Sequence, residues 1–123
     1  MVKKSNKKPS PLIGNLIFNF LFALFTILIV INFYENILLT TSLLIIVSAI
    51  GLIKWKSKTT LIVFILAGIF GPLFEIVAIN YGVWSYTNTN FMNIPVWLFP
   101  TWGNAAASIH QTTREIEKFI IKK

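Results

Sequence analysis

Glu75 is the lone acid in an apolar run that extends from Thr60 to about Asn80. A charged side chain at mid-membrane costs about 2.5–3.5 kcal/mol on insertion scales, so such an acid marks a candidate functional site. At 1.5 Å per residue it lies roughly 9 Å inside the outer end of its run. At 100° per residue, Gly68, Gly71, Glu75, Ala78 and Gly82 fall on one strip roughly 80° wide. A strip of small residues admits a second helix or leaves room for a ligand, which turns Glu75 inward. Pro72, one turn earlier, cannot donate to the Gly68 carbonyl, so a kink with a free acceptor is expected beside the acid.

Downstream the chain turns aromatic and polar without a single charge, through Tyr81, Trp84 and Tyr86 and on to Ile94, Pro95, Trp97 and Trp102. Part of this is the aromatic belt of a membrane interface, to which Trp84, Tyr86 and Trp97 are assigned. Trp102 lies about 12 Å down the last helix, close to Glu75 in depth, and Asn104 follows about a turn deeper. Glu75 is thus expected to face a polar–aromatic pocket of Tyr81, Trp84, Tyr86, Trp97, Trp102 and Asn104, opening toward the outer face. A desolvated carboxyl favours its neutral form and then serves as a general acid or hydrogen-bond donor, while aromatic faces stabilise a developing cation. That chemistry suits protonation of an alkene in an isoprenoid lipid, and equally passive lipid binding. His110, the one histidine, lies about 15 Å below Glu75 and is expected to be a helix-end or interface partner.

The run Glu75 … Gly82-Val83-Trp84-Ser85-Tyr86 … Ile94-Pro95 … Pro100-Thr101-Trp102 resembles a pattern in carotenoid-hydratase-type integral membrane proteins. There a membrane glutamate precedes a Gly-x-aromatic-x-Tyr turn, and a helix opening with prolines and a tryptophan follows. The resemblance covers roughly residues 68–104. It implies that Glu75 corresponds to the family's glutamate, with Trp84, Tyr86 and Trp102 as pocket walls. Members of that family are longer and carry more helices, so a shared activity implies a dimer of this chain.

What positions these residues is a set of apolar runs. Of the 123 residues 55% are hydrophobic and 12% charged, about half the charged share of a soluble domain, so lipid is expected to cover the surface. Runs at about 11–33, 37–53, 60–80 and 94–112, the last with an amphipathic extension to about 118, predict an all-α bundle of four transmembrane helices. Residues 1–10 and 119–123 are read as basic tails. All eleven Lys and Arg fall in three clusters, at residues 3–8, 54–58 and 114–123, which alternate with connections that carry no basic residue. Positive residues mark the cytoplasmic side, so both termini are placed there and the chain is read as a multi-pass protein of the cell membrane. Asn15 and Asn19 share a helix face and are expected to bond to neighbouring helices.

Cysteine and aspartate are absent, which excludes disulfides and thiol nucleophiles and leaves no set of metal ligands; no cofactor is expected. The net charge of +7 is accounted for by topology rather than by a basic face for nucleic acid. The expected partners are membrane lipid, a hydrophobic small molecule, and a second copy or a larger membrane complex. The favoured reading is a lipid or isoprenoid binder, with catalysis left open. The alternative is a non-catalytic subunit or assembly factor of a membrane complex.

Overall fold

The computed structural model describes residues 11–121, and the basic tail assigned to residues 1–10 lies outside them. Four helices follow one another: α1 (Pro11–Phe33), α2 (Ile37–Trp55), α3 (Lys58–Asn80) and α4 (Leu98–Ile121). The turns between the first three are short and capped. Asn36 caps α2 by accepting from the Leu39 N–H at 3.1 Å. Lys56 ends α2 in the left-handed region, and Ser57 at once caps α3 by accepting from the Thr60 N–H at 3.1 Å. These caps extend α2 to residue 55 and start α3 at residue 58, beyond the expected 53 and 60.

The largest departure from the expected boundaries is at the last helix, which starts at residue 98 rather than 94. Phe91 and Ile94 exchange both backbone hydrogen bonds around Met92 and Asn93, whose φ angles are 47° and 67°. Two positive φ values in a row make this a mirror-image hairpin turn, and Pro95 holds Ile94 extended. The turn drives Ile94 into a core with Leu44, Ile76, Trp97 and Leu98. At the other end α4 continues to residue 121, so residues 119–121 are helix rather than tail.

α4 is the hub. Its broadest contact is with α3, and it also packs on α1 and α2. Its buried stripe carries Asn104, Ser108, Gln111 and Glu115, whereas Ile109, Ile116, Phe119 and Ile120 face outward. The whole bundle repeats this inversion. Asn19, Thr26, Thr40, Ser48, Thr60 and Glu75 are buried, while Ile, Leu and Phe side chains cover the outside of α1, α2 and α3. A continuous apolar exterior of that extent does not persist in water. α1, α2 and α3 are each long and apolar enough to cross a membrane. α4 is too polar to meet that criterion by composition.

Polar side chains join the helices in layers. Asn104 accepts from the Ser48 hydroxyl at 2.6 Å and donates to Thr26 at 3.2 Å, joining α4 to α2 and α1. Further toward the basic end, Asn19 accepts from the Trp55 indole at 2.9 Å and donates to Thr112 at 3.2 Å. Such bonds, together with close packing of small residues, join the helices where their apolar side chains face outward.

Candidate functional site

The chain reverses after α3 through one glycine. Gly82 has φ +78°, its N–H bonds the Ile79 carbonyl at 2.9 Å, and the Val83 N–H reaches the Ala78 carbonyl at 3.0 Å. This pair of bonds is the Schellman stop, in which glycine takes the left-handed position at no steric cost. Gly82 therefore belongs to the helix end rather than to the small-residue strip. The segment that follows runs back over the last turns of α3. Trp84 and Tyr86, two residues apart on the extended chain, both reach Glu75.

Glu75 is 7% exposed, and three side chains donate to its carboxyl group. The Trp84 indole reaches Oε1 at 3.2 Å, the Tyr86 hydroxyl also donates to Oε1, and the Trp102 indole reaches Oε2 at 2.6 Å. Trp102 gets there by lying across α3 at Gly71. A Cβ on Gly71 would sit 2.2 Å from the Trp102 ring, so only glycine leaves the indole its place. Gly68 and Gly103 extend the same close seam, where a Cβ would meet the Phe99 carbonyl at 3.1 Å and the Phe64 ring at 2.6 Å respectively.

Of the side chains expected around Glu75, the structure brings Trp84, Tyr86 and Trp102 to the carboxyl group. Trp97 stands behind Tyr86, edge to face at 6.0 Å, but it is a buried core residue rather than part of an interfacial belt. Its indole N–H has no hydrogen-bond partner among the described residues. Tyr81 projects outward at 83% exposure. Asn104 belongs to the separate Ser48–Thr26 layer. His110 lies outside the group that bonds Glu75, and its Nε2 is buried without a partner among the described residues. Thr26 and Ser48 were missed in the sequence. Their signal was faint: isolated hydroxyls in otherwise apolar runs.

Indole N–H groups can only donate, so Trp84 and Trp102 hold the carboxyl oxygens as acceptors. A phenol can both donate and accept. Tyr86 is therefore the member through which a hydrogen bond or a proton can pass to anything beyond the cluster. Burial foremost, and then the hydrogen bond to Glu75, push the Tyr86 phenol above its ordinary range, so it keeps its proton. Tyr86 also lines a groove of about 360 Å³ with Val30, Ile31, Tyr34, Thr87 and Trp97. Compared with known proteins, the chain matches no family model, no curated protein and no solved structure.

Proposed function

We propose that the chain is a multi-pass cell-membrane protein in which all four helices cross, with both termini cytoplasmic, and that its acid–aromatic site binds a lipid or isoprenoid-like molecule. The span assigned to α4 rests on its place in the bundle, where it packs on each of the other three helices. Its polar stripe faces them, and its 24 residues reach about 36 Å. The orientation rests on the basic clusters. In this Cys-free chain, a cysteine at Asn88 reacts with an impermeant maleimide from outside intact cells and one at Lys56 does not; the opposite labelling inverts the topology.

One observation carries the binding reading: Tyr86 stands between a buried carboxyl group and a largely apolar groove. With its hydrogen committed to Glu75, the phenol offers lone pairs outward, and so suits an apolar molecule that ends in a donor such as a hydroxyl. Val30, Ile31 and Trp97 supply walls for the hydrocarbon. With that hydrogen pointing at Glu75 the geometry supports binding of a donor; protonating a bound alkene would require the phenol to turn its hydrogen into the groove and take up one from a protonated Glu75.

Farnesol tests this reading, with farnesene as the hydrocarbon control. Native mass spectrometry of the detergent-solubilised protein is expected to show farnesol retained above farnesene. Tyr86→Phe, which removes one hydrogen-bonding group, lowers farnesol retention about three- to tenfold. Equal retention of the two probes, or of farnesol by wild type and Tyr86→Phe, removes the binding reading. A second reading, a non-catalytic subunit or assembly factor, is favoured by the fact that the three donors to Glu75 all belong to the chain itself. It requires a stoichiometric partner protein in the same spectra.

A further inference from the structure

The end of the bundle opposite the Glu75 cluster holds an open polar cavity of about 400 Å³ bounded by α1, the α2–α3 turn and α4. Its wall carries Lys54, Lys56, Lys58, Arg114 and Lys118 against a single carboxylate, Glu115. Lys118 and Glu115 pair at 3.8 Å, the only ion pair among the described residues. Among the described residues the other four cations form no ion pair, although one of them, Lys54, stands over the Phe18 ring at 5.1 Å. Like charges this close repel, an arrangement that costs stability unless something negative is bound.

The sequence places basic residues here for topology, but topology requires only that they lie on one side. It does not require a cavity. Three features give this one the form of a site. Arg114 is held rather than loose: one guanidinium N–H donates to the Ser57 hydroxyl oxygen at 3.0 Å, which leaves the rest of the fork for a ligand. α3 begins at the wall with Lys58 and Thr59, so a 23-residue helix presents its positive end and its first unbonded N–H groups there. The floor is polar, with Asn15 beside the buried Asn19 and Gln111, the latter fixed by the Thr60 hydroxyl at 2.5 Å.

We propose that this cavity binds a phosphate group. A guanidinium fork, several ammonium groups and a helix N-terminus together match a compact multivalent oxyanion better than a planar carboxylate. The volume falls within the range of small-molecule sites, and three converging elements exclude a nucleic-acid duplex. Two sources supply the same group. One is the headgroup of an anionic phospholipid, whose phosphate would lie level with the ends of these helices in a bilayer; the other is free phosphate from the aqueous side. The site does not depend on the reading of the Glu75 groove.

The experiment uses the full chain in two arms. In the first, the protein is reconstituted in nanodiscs of phosphatidylcholine with a minority of phosphatidylglycerol, extracted in mild detergent, and its retained lipid counted by native mass spectrometry. In the second, inorganic phosphate is titrated into lipid-depleted protein by calorimetry. Wild type is expected to retain phosphatidylglycerol selectively, or to bind inorganic phosphate, according to the source. Lys56→Gln with Lys58→Gln, both exposed and neither in an ion pair among the described residues, lowers the affinity about fivefold per lysine removed. Arg114→Lys, which keeps the charge and loses the fork, weakens binding without unfolding the bundle. Undiminished binding by Arg114→Lys, which keeps the charge, shows only bulk attraction to basic helix ends and overturns the cavity, as does undiminished retention by the double variant. Silence in both arms overturns it as well.

Discussion

Replacing Glu75 with Gln is expected to destabilise the bundle by about 1–3 kcal/mol, and with Leu by more. Gln keeps the volume but turns one acceptor oxygen into a donor that points at donors already in place. At least one buried N–H or O–H is then left without a partner, which costs about 1–3 kcal/mol. Leu removes both oxygens and strands Trp84, Tyr86 and Trp102 together. The loss includes more than three hydrogen bonds, because Glu75 is also what ties the segment after Gly82 to α3 and α4. Loosening that segment exposes the contact between Tyr86 and Trp97 at 6.0 Å. Thermal melts in detergent, read by near-ultraviolet circular dichroism, give the order wild type, Gln, Leu. A Gln variant as stable as wild type would mean that the three donors find other acceptors.

Gly71→Ala is expected to cost about 1–3 kcal/mol, the usual penalty for overpacking, although alanine in a helix interior ordinarily gains about 0.5–1 kcal/mol over glycine. The sign is reversed by the Trp102 ring, which lies 2.2 Å from where the new Cβ would be. The indole has to move, and its 2.6 Å bond to Oε2 moves with it. Gly14→Ala is the internal control, since a Cβ there meets nothing within 4 Å and should leave stability unchanged or slightly raised. Equal melting shifts for the two variants would show that Trp102 does not depend on Gly71.

Both expectations concern a site that was only partly legible in the chain. An acid in an apolar run cannot face acyl chains cheaply, and a strip of glycines on its own face showed which way it turned, so Glu75 and Gly71 were readable together. The first helix needed no correction either, because an uninterrupted apolar run between Pro11 and Phe33 leaves no competing boundary. Depth was readable but direction was overlooked. Asn104 lies only about 3 Å below Trp102 rather than a full turn, and two residues on a helix are about 200° apart, so they could not both face Glu75. Trp102 took the α3 side and Asn104 the α1–α2 side.

The remainder depended on backbone conformations that residue types announce weakly. Gly82 fits a packing strip as well as a helix stop, and only its φ of +78° decides between them. Met92 and Asn93 form a turn that few would expect with methionine at a positive φ, and that turn sets where Ile94, Trp97 and α4 lie. Trp97 therefore went inside, although its position beside a helix start suits an interfacial residue equally well. The polar layers of Asn19, Ser48 and Asn104 follow the same logic. Single hydroxyls and amides in apolar helices are common, and their partners emerge only once three helices have met.

The most direct test is the indole N–H region of a nitrogen-15 NMR spectrum of the detergent-solubilised protein, with resonances assigned by single Trp→Phe variants. Trp84 and Trp102 are predicted to exchange slowly with solvent and to shift together in Glu75→Gln, while Trp55, bonded to Asn19, stays where it is. Fast exchange at both, or resonances indifferent to the substitution, would mean that no carboxyl group is gripped between α3, α4 and the returning segment.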